Sequence, residues 1–138
     1  MTDLHKERRK LKMNLITEYT ETIHEMDEVQ TSGLDKRNKV KKNNRLANRM
    51  RKIASEIETK YPDMKNDFYQ LLFHEEAIVR NWVAHHILEV MNYDEACRKN
   101  ALKEITDIAM NDKGFNGFGN KMWLAQWYEE HPTDRELL

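Results

Sequence analysis

Histidines followed by glutamates are the first residues of this sequence to suggest chemistry, because such groups can bind a metal ion. His74 and the two glutamates after it resemble the start of a zinc-protease helix motif, in which a second histidine follows four residues later. That position is Ile78 here. His85 and His86 are adjacent, about 100° apart on a helix, so His74 is the only workable partner for His85. We therefore expect surface or partly buried histidines and no metal site.

Neither the cysteine nor the glycine-rich segment predicts a catalytic or cofactor site. Cys97 stands alone, and no recognisable base accompanies it as a nucleophile would require. Three of the four glycines fall within residues 114–119, but no strand precedes them and the Gly-Lys-Ser/Thr ending of a phosphate-binding loop is absent. We expect a connector between two helices, anchored by Phe115 and Phe118. These aromatic residues also make it a candidate rim of a binding surface.

Charge is distributed unevenly along the chain. Residues 1–69 carry 16 basic and 12 acidic side chains, whereas residues 70–138 carry 7 and 12. Nine basic residues and no acidic one fall within residues 36–52, and five of them share one helix face, which we call the basic stripe. The basic stripe consists of Lys41, Lys42, Arg45, Arg49 and Lys52. It predicts a solvated face, a dock for an acidic protein or a nucleic-acid contact, although it lacks the aromatic residues that stack on single-stranded bases.

Helices alone are predicted to position these residues, since apolar residues recur at steps of three and four and no alternating run suggests a strand. The first apolar stripe is Leu11, Leu15, Tyr19, Ile23 and Met26; the second is Val40, Ala47, Met50, Ile53, Ala54 and Ile57. Pro62 ends the second helix, Asp63 is expected to cap a short third, and Asp94 a fifth. A last helix covers residues 120–130, and a polar tail follows to residue 138.

The length of 138 residues and the net charge of −1 are typical of one domain without an overall bias toward nucleic acid or acidic membranes. We expect a single helical domain over residues 1–138, with two amphipathic helices in residues 1–61. No long apolar run occurs at the amino terminus or elsewhere, which predicts a soluble, cytoplasmic protein without a membrane span. Short connections favour antiparallel neighbours, so the predicted fold is an all-α stack of five or six helices.

The fourth predicted helix, residues 75–91, has apolar residues on two faces. One face carries Val79, Val83, Ala84, Ile87 and Leu88, which we expect to be buried. Arg80 is expected to pair with Glu76 or with a carboxylate of a neighbouring helix. The opposite face carries Ile78, Trp82 and His85. We expect this second face, with the Phe115–Phe118 segment, to contact a flanking helix or to form the centre of a partner interface.

The order of residues in this helix resembles the second half of a HEAT-type repeat. An acidic position, the pair Val79-Arg80, the small Ala84 and then Leu88 recur in that family in this order. The resemblance covers about residues 62–130. The chain resembles small bacterial HEAT-like helical-repeat proteins most, including a family of unknown function whose amino-terminal helix also carries an Asn-Arg-rich stretch like residues 43–49 here. The sequence departs from the family pattern at Trp82, which lies between Arg80 and Val83, and no second Val-Arg pair occurs. One compact stack is therefore expected rather than a long solenoid.

We expect a non-enzymatic, HEAT-like scaffold that binds another protein in the bacterial cytoplasm. Its small size, lack of an export signal and polarised charge fit an immunity-type or regulatory partner. The candidate partner-binding residues are the basic stripe, Trp82, Phe115 and Phe118. The alternative is a nucleic-acid-binding HEAT-like module that uses the basic stripe. No catalytic residue, metal ligand or cofactor is predicted.

Overall fold

The structure is a computed structural model that describes residues 3–138, except for the side chains of residues 5 and 8–13. The described chain is all-helical and has no strand, which confirms the predicted all-α class. Its α-helices are α1 (Asp3–Gln30), α2 (Lys36–Lys60), α3 (Lys65–Gln70), α4 (Ala77–Glu89), α5 (Glu95–Asn111) and α6 (Phe115–Glu130). No helix within residues 3–138 is long and apolar enough to cross a membrane.

The chain divides into two compact units between Phe68 and Tyr69. In the first unit α1 and α2 form an antiparallel hairpin, whose turn is held by the Ser32 hydroxyl on the Val29 carbonyl at 2.7 Å. Asp35 begins α2, because its Oδ1 accepts the backbone N–H of Asn38 at 2.8 Å and satisfies an amide that has no partner within the helix.

The apolar stripes of α1 and α2 form the core of this unit, as predicted. The buried side chains include Leu15, Tyr19, Ile23, Leu46, Met50, Ile53, Ala54 and Ile57. The rings of Tyr19 and Phe68 pack in a T-shaped arrangement, with centroids 4.9 Å apart. Val40 is exposed because it lies near the beginning of α2, and the predicted position of Leu11 lies outside the described side chains.

Proline ends α2 where predicted, and a 3₁₀ helix follows it. α2 ends at Lys60, and Pro62 opens a 3₁₀ helix, Pro62–Met64. Asp63 lies inside this 3₁₀ helix, and the N-cap position belongs to Tyr61, which makes no side-chain capping bond. Tyr61 is thus the N-cap of the 3₁₀ helix, which begins at the proline itself, and capping of α3 by Asp63 stays a prediction.

In the second unit α5 packs against both α4 and α6. Asp94 caps α5 as predicted, with its Oδ1 accepting the backbone N–H of Cys97 at 2.9 Å. This bond lowers the pKa of Asp94 below its ordinary value. The predicted apolar face of α4 is buried throughout, and α5 contributes Ala101, Leu102, Ile105 and Ala109 to the same core.

Two segments of the second unit differ from the prediction. α6 begins at Phe115 rather than at residue 120, so the glycine-rich segment forms the first turns of a helix with Gly114 as its N-cap residue. The predicted polar tail contains a 3₁₀ helix, Pro132–Leu137, in which Asp134 is buried. Glycine-rich or polar composition favours loops, whereas in the structure Asn120 and Asp134 are held by hydrogen bonds to residues 35 or more positions away in the sequence.

Candidate functional site

The basic stripe lies on α2, and two of its members form ion pairs with glutamates of α1. Lys41, Arg45, Arg49 and Lys52 are exposed as predicted, and Lys42 is half-buried. Arg49 binds the Glu18 carboxylate at 2.7 Å, and Lys42 lies 3.9 Å from Glu25. These two side chains therefore bridge the hairpin, while the stripe's other members extend into solvent.

Arg80 joins the beginning of α4 to α5. Its Nε donates to Glu104 of α5 at 2.8 Å, and its Nη1 donates to the backbone carbonyls of His74 and Glu75 at 2.7 and 3.0 Å. The predicted pairing with a neighbouring carboxylate is confirmed, although the partner is Glu104 rather than Glu76. The guanidinium also satisfies carbonyls of the segment that leads into α4, which gives this arginine a structural role.

The histidines considered for metal binding have other partners. His74 Nδ1 accepts the backbone N–H of Glu76 at 3.0 Å, and His85 Nε2 lies 2.8 Å from Asn120 Oδ1. His86 is buried. Among the described residues no three His, Cys, Asp or Glu side chains converge on one metal position.

The second face of α4 contacts α6 through a polar network. Asn120, buried in α6, donates from Nδ2 to Asn81 Oδ1 at 2.9 Å, and its Oδ1 faces His85. The prediction that this face meets a flanking helix is confirmed at His85. Asn120 was not predicted as a site residue, although its spacing of three and seven residues before Trp123 and Trp127 places all three on one side of a helix.

Glu89 extends this network at the end of α4. Trp123 Nε1 donates to Glu89 Oε1, and His85 Nδ1 lies 3.8 Å from the same oxygen. Partial burial raises the pKa of Glu89, but the hydrogen bond from Trp123 and the neighbouring imidazoles of His85 and His86 lower it by a larger amount, so its pKa lies below the ordinary value. This carboxylate is therefore ionised at neutral pH.

Aromatic rings stack along α6 at steps of four residues. The centroids of Trp123 and Trp127 are 4.8 Å apart with planes 13° from parallel, and those of Trp127 and His131 are 3.8 Å apart at 17°. The rings of His85 and Trp123 are nearly perpendicular, with centroids 4.5 Å apart. The Trp127 indole is fixed by donating to Asp134 at 2.9 Å. Their spacing of four residues places these rings on one face of a helix, but it does not by itself predict that they stack.

Trp82 is partly buried, whereas the two phenylalanines predicted to anchor the connector are exposed to solvent. Trp82 is half-buried and lies 5.8 Å from the ring of His86, one turn further along α4. Phe115 is 96% exposed and Phe118 64% exposed. The prediction that these phenylalanines anchor a connector was wrong, because they lie on the solvent side of the first turns of α6.

Because Phe115 and Phe118 are exposed, one side of α6 presents apolar side chains to solvent. Met122, one further turn along, is 61% exposed and continues the spacing of Phe115 and Phe118. We call Phe115, Phe118 and Met122 the α6 face.

Comparisons with models of protein families, with curated proteins and with solved structures found no match to this chain.

Proposed function

We propose that this protein is a protein-binding module whose docking surface is the α6 face. The observation that carries the proposal is the exposure of three large apolar side chains, between 61% and 96%, at steps of three and four residues on one helix. Single exposed apolar residues are common on soluble proteins, but a contiguous row is typical of a binding surface. Covering the row removes apolar area from water and stabilises the complex.

The spacing favours an amphipathic α-helix of another protein as the occupant. Steps of three and then four residues match the seam through which two helices pack side by side. Ala125, also exposed, continues the same spacing. Beside Phe118, a Cβ built on Gly119 would meet no atom within 4 Å, so this part of the face leaves room for a partner backbone to approach closely.

The resemblance to HEAT-like bacterial proteins supports the more specific form of this proposal. A non-enzymatic, HEAT-like scaffold in the bacterial cytoplasm, acting as an immunity-type or regulatory partner, would need one apolar surface for its target. The α6 face meets that requirement. Trp82 is not part of the proposed surface, since it is half-buried beside His86.

Co-purification from the native cell tests the proposal. The variant Phe115→Ser/Phe118→Ser removes the face, and Phe73→Ser is the matched control, because Phe73 is a 60% exposed phenylalanine of the same unit. We expect the parent and the control to retain one protein in stoichiometric amount, and the double variant to lose it without a change in melting temperature. If every co-eluting protein stays with the double variant, the α6 face is not the docking surface.

Sedimentation equilibrium of the purified chain distinguishes a second copy from a different protein. The parent should remain monomeric over a wide range of concentration. A dimer that dissociates in the Phe115→Ser/Phe118→Ser variant would assign the α6 face to self-association and would contradict the proposed partner.

Nucleic-acid binding through the basic stripe is the second candidate function, favoured by the exposure of Lys41, Arg45 and Lys52. Phosphate contacts release counterions, so binding of duplex DNA or RNA should weaken as salt is added. A plot of the logarithm of the binding constant against the logarithm of the salt concentration should have a slope of about −0.9 for each phosphate contacted on DNA. Reversing these three charges to glutamate should abolish binding. The absence of retarded duplex at low salt would exclude this candidate.

A further inference from the structure

A groove of about 450 Å³ runs beside the stacked rings of the second unit. We call it the tryptophan groove. Its walls are the end of α4, with Leu88 and Glu89, and the last turns of α6, with Trp123, Trp127 and Glu130. The volume lies within the range of about 300–1,000 Å³ that small-molecule sites occupy. None of its lining residues belongs to the α6 face, so its function does not depend on the protein-binding proposal.

The aromatic wall of the groove is held in place by its neighbours. Trp127 is buried, stacks on Trp123 and is fixed through Asp134. Trp123 is half-buried and is oriented by its hydrogen bond to Glu89. Because the rings are already ordered, a ligand does not have to restrict their motion when it binds. Indole presents the strongest ring surface for a cation among the aromatic side chains.

The polar wall of the groove is acidic. Its polar lining consists of Glu89, Glu130, Gln126 and His131, and no lysine or arginine is among the described side chains that line it. Glu130 is exposed and accepts one bond from Gln126 at 3.3 Å, which leaves lone pairs available for a ligand. Residues 70–138 as a whole carry 12 acidic and 7 basic side chains, so the surrounding potential also attracts cations.

We propose that the tryptophan groove binds an organic cation, with an alkylammonium or guanidinium head group between Trp123 and the carboxylates of Glu89 and Glu130. An aromatic ring beside carboxylates is the arrangement that recognises such groups, since it combines cation–π attraction with ion pairing. An anion would be repelled by the two carboxylates. A bare metal ion would lack a set of three His, Cys, Asp or Glu ligands, which the described residues do not supply.

Nuclear magnetic resonance of the three indole N–H groups tests this site. Tetramethylammonium is titrated against 3,3-dimethyl-1-butanol, whose branched end has nearly the same shape without the charge, at constant ionic strength. We expect the Trp123 signal to shift saturably with the cation, the Trp82 signal to stay in place, and the alcohol to cause no shift. Equal shifts with the alcohol, or no saturable shift at high millimolar concentrations of the cation, would overturn the proposal.

Two glutamine variants separate a specific contact from general charge. Glu130→Gln removes a carboxylate that lines the groove, and Glu129→Gln removes an exposed neighbour that is not among the lining side chains. We expect Glu130→Gln to weaken tetramethylammonium binding about 10-fold, which corresponds to about 1.4 kcal/mol, and Glu129→Gln to change it less than 2-fold. Equal effects of the two variants would overturn the proposal. Glu89 is less suitable for this test because it also holds Trp123 and His85.

Two further ligands identify the source of the cation. N-acetyl-lysine methylamide represents a lysine side chain within a protein, and n-butylammonium represents a free amine. Binding of the capped lysine at least as tight as that of butylammonium supports a side chain of a partner protein as the natural occupant. Binding of butylammonium alone supports a free amine, and binding of neither, together with no binding of tetramethylammonium, contradicts the proposed site.

Discussion

Arg98 of α5 donates a hydrogen bond to the carboxylate of Asp134, although 36 residues separate them in the sequence. The same carboxylate oxygen accepts the indole N–H of Trp127 at 2.9 Å. Asp134 is only 7% exposed, and a buried carboxylate is stable only with such partners. The two bonds therefore hold the 3₁₀ helix Pro132–Leu137 against α5 and α6.

Asp134→Ala should lower the free energy of unfolding by roughly 3 kcal/mol, because it leaves the Arg98 charge and the Trp127 N–H without this acceptor. Urea denaturation measures the change. Glu136→Ala is the control: Glu136 lies exposed in the same 3₁₀ helix, and its loss should alter stability by less than about 0.5 kcal/mol. Similar midpoints for the two variants would show that Asp134 does not stabilise the fold.

Gly117→Ala and Gly119→Ala should have opposite effects. A Cβ at Gly117 would lie 1.8 Å from the backbone carbonyl oxygen of Asp112, so the turn between α5 and α6 must shift. A Cβ at Gly119 meets nothing within 4 Å, and alanine is the better helix former by about 0.5–1 kcal/mol. We expect Gly117→Ala to lower the melting temperature and Gly119→Ala to raise it. A rise with both would contradict the close approach of Asp112.

Leu88→Ala should lower the free energy of unfolding by about 2–5 kcal/mol, the usual cost of truncating a buried leucine. Leu88 belongs to the buried face of α4. Thermal and urea unfolding measure the loss, with the exposed Met110→Ala as the control. A melt of the Leu88 variant that coincides with the parent would show that α4 is misplaced.

Trp82→Ala should cost less than the roughly 3–5 kcal/mol typical of a fully buried tryptophan, because Trp82 is half-buried beside His86. We expect a loss of about 1–3 kcal/mol, measured by urea denaturation, since part of its apolar surface stays in water in the folded state. An unchanged melting temperature combined with loss of a bound partner would instead assign Trp82 to an interface.

Stability should depend on pH through Glu89. Its pKa is lower in the folded protein than its ordinary 4.5, so its contribution is fully present above that value and is lost as the pH falls through the lower folded pKa. Glu89→Gln should therefore reduce the melting temperature at pH 7 and have progressively less effect below pH 4.5. A difference between parent and variant that stays constant down to acid denaturation would contradict the ionised state assigned to Glu89.

The sequence by itself determined the helices that have strong local signals. The buried face of α4 follows from apolar residues at helical spacing, and the beginning of α5 follows from Asp94, whose carboxylate bonds to an amide three residues away. The end of α2 follows from Pro62. These features depend on the backbone and on neighbours within one or two turns, so periodicity and capping residues are sufficient to predict them.

Only the tertiary structure decided the remaining features. Asn120 and Asp134 are polar residues in segments that look exposed, and they are buried because their partners lie 35 or more residues away in the sequence, at His85 and Arg98. The exposure of Phe115 and Phe118 also contradicts the local expectation for aromatic residues. The burial of a polar group depends on the hydrogen bonds that the whole fold provides, and the exposure of an apolar one depends on which helix face has no neighbour. Neither quantity is encoded in the local spacing of residues.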